Sequence, residues 1–134
     1  ATWRSLFYQK TESMYFETRA KVTSEGKRKA LNYLVDAMSF TEAEAKTLRI
    51  CEGLAEISIE AIKVSKVSEV VQGDTEGAFY KLKASTDPED GKPESFTFII
   101  YGEDEAEAGK TLHELYQGFT IESITKTKIV EVVR

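Results

Sequence analysis

The sequence predicts an α+β fold: a tandem duplication of two ββαβ units, with a mostly antiparallel sheet, one helix per unit and pseudo-two-fold symmetry. Three observations predict it. Strand-length stretches with period-two alternation recur around two short helical segments. Each helical segment opens on a capping residue followed three places later by Glu. Residues 119–133 align without a gap to residues 57–71, with seven positions identical, among them Ile59/Ile121, Glu60/Glu122 and the triplets Glu69-Val-Val71 and Glu131-Val-Val133.

The first unit opens on a strand at residues 15–22, where Tyr15, Glu17, Arg19 and Lys21 alternate against Phe16, Thr18, Ala20 and Val22. Thr23-Ser-Glu-Gly-Lys-Arg-Lys29 then reads as a hairpin loop with a basic tip. Residues 31–38 return as a second strand, with Tyr33, Val35 and Ala37 on one face and Leu34, Asp36 and Met38 on the other. A helix is expected to start at Thr41, with Glu44 completing a capping box. Ala43, Ala45, Leu48 and Ile50 carry it to Cys51, and Gly53 stops it. Residues 57–71 are β-branched and alternating, but the apolar phase shifts between Ile57, Ile59 and Ile62, Val64. A bulge near Glu60–Ala61 accounts for the shift.

The second unit repeats this order. Phe79-Tyr-Lys-Leu-Lys-Ala84 lies over residues 15–20, and a longer tip, Asp87-Pro-Glu-Asp-Gly-Lys-Pro93, replaces the basic one. Residues 96–101 lie over 33–38, which sets Ile99 opposite Asp36. Asp104-Glu-Ala-Glu-Ala108 lies over Thr41-Glu-Ala-Glu-Ala45, and Asp104 with Glu107 repeats the cap. The chain therefore divides into an N-terminal arm, 1–14, and one domain, 15–134, made of repeat 15–71, linker 72–78 and repeat 79–134. Each unit's single helix covers only part of its sheet, so two units sharing a core bury more apolar surface. A strand left open at a sheet edge invites pairing with another chain.

Apolar residues make up 41% and charged residues 31%, the balance of an ordinary globular domain large enough to need no disulfide or metal. A lone cysteine, Cys51, ties the chain to no oxidising compartment. No apolar run is long enough to span a bilayer, and residues 1–14 lack the pattern of a signal peptide. The expected location is the cytoplasm of a host cell, or a virion assembled there. The net charge of −5 falls mainly on the second half, which disfavours non-specific nucleic-acid binding.

Chemistry-bearing constellations are sparse. His113 is the only histidine, and one Cys with one His falls short of a zinc site. The glycines occur singly, never as a phosphate-cradling loop. The glutamates near the helix starts serve the helix dipole. No catalytic residue, metal site or cofactor is therefore assigned. Asp36 is the one special acid, because it interrupts an apolar strand; it faces a pocket or partner, or it bonds backbone N–H groups at the helix entry. Arg19, Lys21, Lys27, Arg28 and Lys29 form a basic set that suits phosphates beside stacking aromatics. Trp3, Leu6, Phe7 and Tyr8 give the arm a high aromatic load, suited to packing on its own domain or on a partner.

Tyr33-Leu-Val-Asp-Ala-Met-Ser-Phe-Thr-Glu-Ala-Glu-Ala45 resembles the signature of an uncharacterised domain family of Bacteroidetes genomes and their phages, in which a Tyr-Leu-Val-Asp-Ala segment precedes a Ser-Phe-Thr-Glu-Ala-Glu helix start. The resemblance implies phage- or mobile-element-linked biology and brings no activity with it; the extension before Tyr15 departs from the family's pattern. The reading that follows is a non-catalytic protein–protein interaction module with a protein partner or self-association, such as a virion or assembly component. A nucleic-acid accessory protein acting through the basic set is the alternative, and a small enzyme with a carboxylate site is the second alternative.

Overall fold

Two residues with left-handed backbone set the first hairpin. Glu25 and Gly26 have φ of 53° and 77°, the conformation of a two-residue turn whose twist matches its flanking strands. The ladder therefore runs up to the pair Ser24 and Lys27. The structure, a computed structural model, describes residues 14–72, 76–86 and 93–134. The arm residues Trp3, Leu6, Phe7 and Tyr8 lie outside the described residues, as do 73–75 of the linker and 87–92 of the second tip. The fold is α+β, with two helices and two four-stranded, mostly antiparallel sheets.

One compact unit takes the chain up to Ser65 together with Ile129–Arg134. Its strands β1 (Met14–Ser24) and β2 (Lys27–Ala37) form the hairpin. The basic triplet thus begins β2 and is not a loop, because the tight turn consumes only Glu25 and Gly26. Helix α1 (Phe40–Ile50) follows, then β3 (Ala55–Ser65), and β8 (Ile129–Val133) closes the sheet in the order β3-β1-β2-β8. β8 runs parallel to β2, whereas β1 pairs antiparallel with both neighbours. The β1–β3 ladder passes from Arg19–Ala61 to Ala20–Ile59. Glu60 is the extra residue, the bulge that the phase shift predicts.

The cap of helix α1 lies two residues before the expected one, Thr41. It is Ser39, whose Oγ accepts from the Glu42 N–H at 3.1 Å. Ser39-x-x-Glu42 and Thr41-x-x-Glu44 are overlapping cap patterns, and packing chooses between them. Starting at Phe40 sets that ring edge-on to Phe16, 5.0 Å between centroids, and turns Ala43 and Thr47 fully inward. The core they join holds Phe16, Ala20, Val22, Tyr33, Val35 and Cys51, with Ile57, Ile59 and Ile62 packed at its margin.

The other compact unit is Lys66–Lys128. It contains β4 (Glu69–Val71), β5 (Ala78–Thr86), β6 (Ser95–Gly102), helix α2 (Glu105–Leu115) and β7 (Phe119–Lys126), with sheet order β4-β6-β5-β7. Asp104 caps α2 as expected, accepting from the Glu107 N–H at 2.8 Å. By cap and by ladder, Asp104 corresponds to Ser39 rather than Thr41. Tyr101, opposite Phe79, then stands where Asp36 stands opposite Tyr15, so the counterpart of Asp36 is Tyr101 and not Ile99. The second core is more aromatic. Phe98, Tyr116 and Phe119 stack within 5.4–5.7 Å of one another, over Leu82, Ile100 and Leu112.

The run 57–71, read as one strand with a bulge, is two strands. β3 stays with β1, while Glu69–Val71 pairs parallel with β6 in the other sheet. The sequence repeat and the compact unit therefore differ in which sheet receives the last three residues.

Candidate protein interface

β3 is an edge strand of eleven residues. One side of it pairs with β1, and among the described residues the other side has no ladder partner. Ile57 and Ile59 before the bulge, and Ile62 after it, pack against the core under α1. Between this strand and the helix lies an open groove of about 480 Å³, lined by Glu44, Leu48, Ile57, Ile59, Glu60, Ala61 and Ile62. Leu48 in this lining is 38% exposed, and beyond the lining Phe40 on α1 is 52% exposed and Val64 on β3 46%. Phe40, Glu44 and Leu48 recur every four residues, so they form one stripe along α1.

The corresponding edge of the other unit is built differently. The residues one, five and nine places after the cap are Phe40, Glu44 and Leu48 in α1 but Glu105, Gly109 and His113 in α2. Gly109 is buried, and a Cβ built there would meet Ile124 Cδ1 at 3.4 Å and Ile121 Cδ1 at 3.5 Å. The isoleucines of β7 thus close directly on their helix. Val64, paired with Phe16, has its counterpart in Lys126, paired with Tyr80. Lysine on an edge strand is a common guard against unwanted pairing. Each edge strand carries one lysine, Lys126 on β7 and Lys63 on β3; Lys63 lies on the face away from α1, beside Glu17, and on the α1 face β3 has Val64 where β7 has Lys126.

The basic set falls on two faces. β1 and β2 stay in register throughout, so alternation puts Lys27 and Lys29 on the face that carries α1, and Arg19, Lys21 and Arg28 on the other. There the bulge residue Glu60 meets Arg19 Nε at 3.0 Å and Lys21 Nζ at 2.8 Å. The Lys21 ammonium, hydrogen-bonded to it, holds the Glu60 carboxyl below the usual glutamate range, and Arg19 and Arg28 add to the effect. Glu17 takes Lys63 at 3.3 Å. A carboxyl with a depressed folded-state pKa contributes stability above its unfolded pKa and loses it as pH falls through the folded value. Glu60→Gln is therefore expected to flatten the acid limb of a stability–pH profile below the ordinary glutamate range, measured by urea unfolding at stepped pH. An unchanged acid limb contradicts the assignment.

The remaining candidates are scattered. Asp36 gives its backbone carbonyl to Lys46 Nζ at 2.7 Å, while Ser39 caps the helix entry. Cys51 is buried at the end of α1, its thiol donating to Tyr33 Oη at 3.7 Å. Burial, then the Cys51 thiol, raise the Tyr33 hydroxyl above its ordinary range. His113 is exposed on α2. Among the described residues no three His, Cys, Asp or Glu side chains gather as a metal site, and no helix is long and apolar enough to cross a membrane. Sequence reasoning missed the exposed Phe40, Leu48 and Val64. Its one available signal was the charged or polar residues at the corresponding positions of the second unit, Glu105, His113 and Lys126.

No curated protein matches the chain. Residues 9–134 match the model of the family described as Domain of unknown function (DUF4494), and the chain belongs to that family.

Proposed function

We propose that this protein is a non-catalytic protein–protein interaction module, built by duplication of a ββαβ unit, whose working surface is the β3 edge with the groove beside α1. One observation carries the reading: a strand edge with no ladder partner among the described residues, on a unit that exposes Phe40, Leu48 and Val64 where the second repeat has Glu105, His113 and Lys126. Exposed large apolar side chains beside an open strand edge suit an interaction site. The duplication is supported by the paired caps Ser39 and Asp104, by the bulges at Glu60 and Glu122, and by the two Glu-Val-Val triplets. The phage- or mobile-element link, with a role in a virion or its assembly, is supported by the resemblance in residues 33–45. The nucleic-acid alternative is weakened by the ion pairs that Glu60 makes with Arg19 and Lys21.

The test is a photo-crosslinking residue placed in the full chain at Ala61 on the β3 edge or at Ser123, its counterpart on β7. Protein adducts from Ala61 alone, reduced by Leu48→Glu, are expected. Equal yields from both positions, or none from Ala61, overturn the reading.

A further inference from the structure

The β3 edge also carries a charge that describes its occupant. Glu44 sits midway along the apolar stripe of α1 and lines the groove beside Glu60 and Ala61. Glu60 spends its carboxylate on Arg19 and Lys21, and Glu42 takes Lys46 at 3.2 Å. Among the described residues no cation pairs with Glu44. A groove lined by Leu48, Ile57, Ile59 and Ile62, with Glu44 its one carboxylate lacking a cation among the described residues, favours an occupant that is apolar but brings a single positive charge.

We propose that the β3 edge takes an extended polypeptide segment of another protein as an added strand, with apolar side chains at alternate positions and one Lys or Arg opposite Glu44. This deepens the interface reading and rests on it. Strand addition supplies backbone hydrogen bonds to the free edge, while every second side chain of the incoming segment drops into the groove against Leu48 and Ile62. The bulge at Glu60 does not separate the two edges, because β7 has the same bulge at Glu122. Accessibility separates them: α2 is closed on β7 at Gly109, whereas α1 stands open over β3. A second copy of this chain fits less well. Glu44 lines one groove with Ile57–Ile62 of β3, so antiparallel pairing of two β3 edges brings two such grooves, each with its Glu44, together across the two-fold axis, and like charges there oppose docking.

The experiment uses the full chain, labelled with ¹⁵N, and the synthetic peptide acetyl-Ser-Ile-Thr-Arg-Thr-Ile-Ser-Val-amide, with a second peptide carrying Glu in place of Arg. The Arg peptide is expected to shift amide resonances of β3 and α1 saturably, and to bind at least about tenfold more tightly than the Glu peptide. Glu44→Lys, an exposed change, is expected to reverse that preference. No saturable shift, shifts confined to β7, or a preference unchanged by Glu44→Lys overturns the proposal. Concentration-dependent dimerisation abolished by Val64→Lys overturns it in favour of a second copy. In either case crosslinking from Ala61 still reports separately on whether the edge is an interface at all.

Discussion

Phe16→Ala is expected to remove roughly 3–5 kcal/mol of stability, the usual cost of deleting a buried aromatic ring from a packed core, and so a large part of a typical domain's roughly 5–15 kcal/mol. Phe16 is fully buried. It lies on the central strand of its sheet, opposite Val35 on β2 and Val64 on β3, with the ring of Phe40 edge-on above it. Four elements therefore lose a shared contact together, and little can move in to fill the space. Phe40→Ala is the informative companion. Half of that ring is already in water, so its removal is expected to cost no more than about 1–2 kcal/mol, a fraction of full aromatic burial. It also takes away one exposed apolar side chain of α1. Midpoints from urea unfolding, read beside crosslinking yield at Ala61, separate the two roles. Phe16→Ala should lower the midpoint sharply; Phe40→Ala should lower yield with little loss of stability. Equal midpoints for the two variants contradict this division between fold and surface.

Phe40 also shows how far the sequence alone reaches. The run Ser39-Phe-Thr-Glu-Ala-Glu44 announces a helix start, but it contains two cap patterns offset by two residues, each with the chemistry to satisfy a free N–H. Only the ring of Phe16 and the burial of Ala43 and Thr47 decide between them, and those are contacts with residues distant in sequence. Local signals did place the bulge, because Ile57, Ile59, Ile62 and Val64 record the change of phase in the chain itself. They did not place the Glu69–Val71 strand in the second sheet. Lys66-Val-Ser68 has no glycine or proline to announce a break, and strand pairing is a non-local choice. The candidate interface was the least legible feature. Phe40, Leu48 and Val64 are each unremarkable as single apolar residues, and only the β1–β3 register and the pitch of α1 bring them to one edge. The basic residues misled for the complementary reason. Closeness in sequence suggested one patch, whereas strand alternation sends Lys27 and Lys29 to one face and Arg28 to the other.

Thr47→Val should cost more than Thr18→Val, although the two hydroxyls share one hydrogen bond. Both side chains are buried, with their oxygens 2.9 Å apart. Thr47 has already committed its only hydroxyl proton to the Ala43 carbonyl at 2.8 Å, so the proton between the pair belongs to Thr18. Replacing Thr47 leaves the Thr18 O–H buried with no acceptor, at an expected cost of about 1–3 kcal/mol. Replacing Thr18 leaves Thr47 bonded to Ala43, and the loss should stay near 1 kcal/mol or less, the net worth of one hydrogen bond. In the double variant the orphaned donor is gone and two methyl groups of similar shape meet in its place. Adding Thr18→Val to Thr47→Val is therefore expected to restore stability rather than reduce it further. Valine and threonine differ little in helix propensity, so the helix itself contributes almost nothing to the cycle. Urea unfolding of the four proteins gives the coupling directly. Additive losses, or a larger loss for Thr18→Val, would mean that the proton runs the other way and that Thr18, not Thr47, is the acceptor holding α1 to the central strand.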